Sequence, residues 1–105
     1  MQQLILKQNN KYMTIHDQFT KGIKVRPHRL ANVDQAVVIK NDQITCVYNL
    51  DLSSLKYNAY TGRIDLHSIL DGQDLHSDLI NQFVKYETST PATIKDAKSI
   101  VVGDN

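Results

Sequence analysis

Hydrophobic and polar positions alternate along much of this chain with a period of two, the spacing at which side chains on a strand share a face. In the first sixteen residues, Leu4, Leu6, Met13 and Ile15 share one face if Asn9-Asn10 forms a two-residue loop, whose positive φ angles asparagine tolerates. Leu6 then faces Met13 and Leu4 faces Ile15, so loop and apolar pattern predict the same hairpin register. Residues 35–48 repeat the arrangement around Asn41-Asp42. Ile39 faces Ile44, Val37 faces Cys46 and Gln35 faces Tyr48, with the pairs Val38–Thr45 and Ala36–Val47 on the opposite side. Both faces of this second hairpin are apolar, which places it in the middle of a sheet covered on both sides.

Between the hairpins, Ile23 and Val25 alternate with Lys24, Arg26 and His28. Pro27 cannot donate a ladder hydrogen bond, so this strand is expected at an edge or ends nearby. Residues 49–62 read as a long connection with one helical turn after Asp51. The period then changes. Leu75, Leu79, Ile80, Phe83 and Val84 form the stripe of an amphipathic helix over 73–87. Asp71 or Asp74 caps it, Asp74 and Asp78 suit its positive end, and Thr88-Ser89-Thr90-Pro91 ends it. Thr90-Pro91-Ala92 is suited to opening a short helix, and Ser99–Val102 to a final strand.

The expected fold is therefore α+β and a single domain spanning 1–105. A mainly antiparallel sheet of five to seven strands carries the 73–87 helix on one face, with a small partly open barrel as the alternative. Its core is expected to hold Leu4, Leu6, Met13, Ile15, Val25, Val37, Ile39, Ile44, Cys46, Leu75, Leu79, Ile80, Phe83 and Val84.

Composition sharpens this picture in three ways. Ten of the eleven acidic residues are Asp and only Glu87 is Glu, a balance that favours caps and turns over helix interiors. The bias toward Ile, Lys, Asn and Asp fits an A+T-rich genome, such as those of low-G+C bacteria and their phages. Net charge is +1, so nothing global draws the chain to nucleic acid or acidic lipid, and any electrostatic function must come from local clustering. The lone Cys46 excludes an internal disulfide and makes a reducing compartment the default. With no basic-then-apolar leader at the start and no apolar run of the ~20 residues a bilayer requires, a cytoplasmic location without membrane contact is expected.

Candidate chemistry is sparse. Asp65-Leu66-His67-Ser68 and Asp74-Leu75-His76-Ser77 bring imidazoles and carboxylates together, but nine residues apart they lack the i, i+4 spacing of a helical metal site. Capping and exposed histidines explain them, and no metal is expected. Residues 64–87 read as a helix-turn-helix would aim Asp74 and Asp78 at phosphates, which repels the backbone. Cys46 falls on an apolar face, and His16 and Asp17 point to opposite sides of a strand. No nucleophile elbow, phosphate-cradling glycine loop or metalloprotease motif is present, so neither catalysis nor a cofactor is expected.

The strongest local feature is electrostatic. Lys21, Lys24, Arg26, His28 and Arg29 make a basic ribbon, and Lys56, Tyr57, Tyr60 and Arg63 interleave cations with aromatics. Phosphate contacts beside stacking rings are the ingredients of single-strand nucleic-acid binding. Tyr, Asn, Ser and Arg in one loop are also the composition of a protein-docking surface. Residues 1–48 carry a net +4 and residues 49–80 a net −3, which favours docking in one orientation if the two halves form opposite faces. The plain structural reading is that lysines and arginines protect an edge strand while the tyrosines close one end of the sheet. The expectation is a non-enzymatic binding protein that docks on a macromolecular partner, most simply a protein, as an accessory or inhibitor of a phage or mobile element. Single-stranded nucleic acid is the alternative partner.

Overall fold

The computed structural model describes residues 2–8, 14–19, 21–70, 78–88 and 90–102. The described strands are, in chain order, β1 (Gln3–Lys7), β2 (Gln35–Lys40), β3 (Gln43–Asn49), β4 (Tyr57–Asn58), β5 (Arg63–Ile64) and β6 (Ala92–Lys95). Two short α-helices, α1 (Ile15–Gln18) and α2 (Leu66–Leu70), and 3-10 turns at Pro27–Leu30, Leu52–Ser54 and Ala97–Ser99 complete the described elements. Among the described residues the fold is α+β: a mixed four-stranded sheet ordered β3-β2-β1-β6, a separate pair β4-β5, and no closed barrel.

β1 lies inside the sheet because its sequence, Gln-Leu-Ile-Leu-Lys, is apolar on both faces. Leu4, Ile5 and Leu6 are all fully buried, each stabilising the fold by about 1.5–3 kcal/mol. It runs parallel to β2 (Leu4 beside Ala36) and antiparallel to β6 (Leu4 beside Ile94). A parallel neighbour needs a long crossover, and residues 8–34 supply it.

The sheet is packed on both sides. Leu4, Leu6, Ala36 and Val38 face a layer made by Phe19, Ile23, Val25, Leu30, Leu50, Ile64, Leu66 and Ile69. Ile5, Val37, Ile39, Ile44 and Val47 face Val84, Ala97 and Ile100, with Leu79 and Ile80 at the margin. Gln3, buried among these residues, is satisfied because its Oε1 accepts the Ala97 N–H at 2.8 Å.

The β2–β3 hairpin forms where the alternation predicts it. Asn41 and Asp42 both adopt positive φ, 54° and 60°, which is the conformation a tight two-residue loop requires. Ile39 pairs with Ile44 as expected, but the register then slips: Val38 pairs with Cys46 and Val37 with Val47. Thr45 is the extra residue of a β-bulge, and its hydroxyl donates to the Val38 carbonyl at 3.4 Å. The slip corrects the expected faces. Cys46 and Tyr48 pack with the first layer, while Val47 joins Ile44 on the second.

Three other expectations are overturned. The amino-terminal hairpin does not form as drawn: β2 and β6 occupy both edges of β1, and Ile15 begins α1 rather than facing Leu4. Its Asn9-Asn10 loop, Tyr12 and Met13 lie outside the described residues. The 73–87 helix fails over its described part. Residues 78–81 form a turn that ends at Asn81 with φ 71°, and Phe83 and Val84 make antiparallel bridges to Gln43 and Val101. Val84 is buried and Phe83 is 61% exposed, the alternation of extended chain. Residues 73–77, with Leu75, lie outside the described residues. Finally, the residues after Pro91 form strand β6 rather than a helix, because Thr93, Ile94 and the open edge of β1 favour pairing.

Candidate functional site

The basic ribbon runs across the layer that covers the first face of the sheet. Ile23 and Val25 are buried in that layer, which leaves Lys24 and Arg26 exposed between and beyond them. The alternation expected from the sequence therefore holds over 23–26. It stops at Pro27, which opens the 3-10 turn, and His28 and Arg29 reach solvent from that turn rather than from a strand.

Residues 57–64 form a small hairpin where the sequence reading expected only a connection. β4 and β5 pair Tyr57 with Ile64 and Asn58 with Arg63. Asn58 builds the loop. Its Oδ1 accepts the Tyr60 N–H at 2.9 Å and the Thr61 N–H at 3.3 Å, while its carbonyl accepts the Gly62 N–H at 2.8 Å. Gly62 closes the loop with φ +69°. These bonds hold Tyr60 at the tip, where it is wholly exposed (101%).

Ribbon and hairpin are joined by reciprocal backbone bonds between Ile23 and Ile64, both 2.8 Å. Gly22 permits this approach. Its φ is +86°, and a Cβ there would lie 2.5 Å from the Ile64 carbonyl oxygen. The Arg63 guanidinium adds a bond of 3.3 Å to the Gly22 carbonyl. On the other side, the hairpin is tied to α2. Asp65 caps that helix by accepting the His67 N–H at 3.0 Å, and the Ser68 hydroxyl accepts the Lys56 N–H at 3.2 Å.

The result is one surface with two adjoining hollows that share Tyr57. One, of about 530 Å³, is lined by Lys24, Arg26, His28, Arg29 and Tyr57; the other, of about 580 Å³, by Lys21, Lys56, Tyr57, Asn58, Thr61, Arg63 and Asp65. All of the residues singled out in the sequence except Tyr60 line these walls, and Tyr60 stands at the tip of the same hairpin. Asp65 is the single carboxylate among them, and among the described residues no carboxylate pairs with Lys21, Lys24, Arg26, Arg29 or Lys56. The cations of both halves of the chain thus converge. Lys56 and Arg63, from the half with net negative charge, join those of residues 21–29 on this surface.

No family model, curated protein or solved structure matches the chain.

Cys46 is half-buried against the first apolar layer. His67 is exposed on α2, and its repeat partner His76 lies outside the described residues. Among the described residues, no helix is long and apolar enough to cross a membrane.

Gly22, Asn58 and Gly62 are the residues that the sequence reading passed over, although the first two hold the face together. Signals for them exist. An isolated glycine within a strand pattern marks close backbone approach, and Asn-Ala-Tyr-Thr-Gly between β-formers is a hairpin loop.

Proposed function

We propose that this chain is a non-enzymatic, single-domain binding protein that docks on a macromolecular partner of negative charge through its basic, tyrosine-bearing face. The observation that carries the reading is the convergence of Lys21, Lys24, Arg26 and Arg29 with Lys56 and Arg63 around two hollows that share Tyr57. Like charges repel, so gathering them on one surface costs stability unless a ligand neutralises them. Protection of an edge strand accounts less well for them, because Ile23 makes only an isolated bridge and its partner Ile64 already occupies that edge. A cytoplasmic accessory or inhibitor protein of a phage or mobile element is the setting we propose, which suits the residue bias and the single cysteine.

Retention on immobilised heparin, a generic polyanion, tests the reading. The double substitution Lys24→Glu with Arg26→Glu is expected to lower the eluting salt concentration. Lys98→Glu, in a separate hollow lined by Gln3, Gln35 and Asp96, is expected to leave it nearly unchanged. The double change alters net charge by four units and Lys98→Glu by two, so a Lys98→Glu loss of half the double variant's or more would reduce the effect to net charge and remove the face from consideration.

A further inference from the structure

We infer that the polyanion this face takes is single-stranded nucleic acid, with phosphates in the two hollows and unpaired bases on Tyr57 and Tyr60; the inference rests on the docking reading above. Three observations favour it over an acidic protein surface or a duplex.

The first is the kind of cation. Lys21, Lys24 and Lys56 make up half of the six cationic groups lining the hollows. Lysine is depleted from the cores of protein–protein interfaces, where desolvation of a compact ammonium is costly, yet it serves well against phosphates that stay partly hydrated. The aliphatic member of the lining, Val25, is buried, so what these walls offer beside their cations is the ring of Tyr57.

The second is the placement of the rings. Tyr60 is held at a loop tip by the Asn58 bonds and buries none of its surface, so both faces of its ring are open. Tyr57 stands between the hollows with 43% of its surface exposed. Stacking a base on an open ring needs no sequence-specific contact, and only an unpaired base has a face to offer.

The third concerns the duplex. Reading the major groove takes a helix or a two-stranded ribbon that reaches base edges. The longest described helix is the five residues of α2, docked by Leu66 and Ile69 into the core. The β4–β5 ribbon is only two residues long on each strand.

Fluorescence anisotropy with labelled oligo(dT) and oligo(U) of about twelve nucleotides, within the ~4–16 nucleotide footprints of single-strand-binding folds, tests the inference. The same measurement is made with a matched duplex and with a poly-glutamate peptide. Binding is expected for the single strands and is weaker for duplex and peptide. If four of the cations meet phosphates, the salt slope is about −2.8, so affinity falls roughly 50-fold between about 50 and 200 mM salt. Tyr60→Ala is expected to weaken binding by roughly 5- to 150-fold, and Tyr60→Phe, which keeps the ring, to restore it. DNA and RNA arms that bind equally place recognition in phosphate and base; preference for either one names the natural ligand class. Duplex bound as tightly as single strand, or Tyr60→Ala without effect, overturns the inference. Poly-glutamate bound through Lys24 and Arg26 with no oligonucleotide binding overturns it while leaving the docking reading intact. Failure of every probe, heparin included, removes both.

Discussion

Replacing Gly22 with alanine probes the contact on which the whole basic face depends. Two costs arise. Gly22 has φ +86°, and a side chain in the left-handed region costs roughly 1–2 kcal/mol. The new Cβ would also stand 2.5 Å from the Ile64 carbonyl oxygen, a backbone atom that cannot rotate away. Relieving that overlap requires the ribbon to retreat by about 1 Å, which stretches both 2.8 Å bonds between Ile23 and Ile64 beyond the ~3.2 Å limit of good geometry. At about 0.5–1.5 kcal/mol for each bond, the contact contributes roughly 2 kcal/mol beyond the φ cost. Gly62→Ala is the matched control. Its φ is +69°, but nothing lies within 4 Å of the added carbon. Both substitutions restrict the unfolded chain equally, so subtracting one from the other isolates the contact. Thermal denaturation followed by circular dichroism should place Gly22→Ala below Gly62→Ala by roughly 8–16 °C, at about 4–8 °C per kcal/mol for a domain of this size. Heparin retention should fall in Gly22→Ala as well, since the two cationic segments separate. Melting temperatures within about 2 °C of each other would show that ribbon and hairpin are not joined as described.

The remaining predictions concern the second layer and the turn at Asp51. Phe83→Ala should cost under about 0.5 kcal/mol in chemical denaturation, as expected for an exposed site, whereas Val84→Ala should cost about 1.6 kcal/mol for two buried methyl-sized groups. The reverse order would restore the helix. The Asp51 carboxyl is held below the usual Asp pKa of 3.8 by the Ser53 hydroxyl at 2.7 Å and then by the Ser53 N–H at 3.0 Å. A lowered folded-state pKa stabilises above the ordinary value and is lost as pH falls through the lowered one. Carboxyl titration by NMR should therefore find Asp51 shifted down, and Ser53→Ala should bring it back toward 3.8.

Sequence periodicity located the elements whose apolar spacing has one interpretation and misassigned those with two. The β2–β3 hairpin was legible because Asn41-Asp42 fixes its loop and the flanks alternate. The bulge was not, since Thr45, Cys46 and Val47 all suit a strand in either register, and only the packing of two layers selects one. The 73–87 stripe misled for an arithmetical reason. Its recurring interval is four residues (Leu75, Leu79, Phe83; Ile80, Val84), and four is a multiple of two as well as close to one helical turn. What separated the readings was chemistry: Val84, Tyr86 and Thr88 are β-formers, and β3 offers Ile44 backbone groups that pair with Asn81 and Gln82. The amino-terminal hairpin failed because a strand apolar on both faces seeks two neighbours, and β2 and β6 lie closer to that need than a local turn.

The candidate face was more legible than the fold that carries it, and the reason is physical. Charged and aromatic side chains on an outer layer declare themselves by type, whatever backbone holds them. Lys24 and Arg26 point outward because Ile23 and Val25 must point inward, an alternation fixed by local chain geometry alone. Bringing residues 21–29 against 56–63 is a different matter, since it depends on a glycine that lets two backbones meet and an asparagine that shapes a loop. The sheet, covered on both sides, leaves its outer layers as the place where such side chains can gather. A binding surface assembled there stands or falls with the Ile23–Ile64 contact rather than with any one cation. Single lysine substitutions should then weaken binding in small, similar steps, whereas Gly22→Ala should weaken it in one larger step.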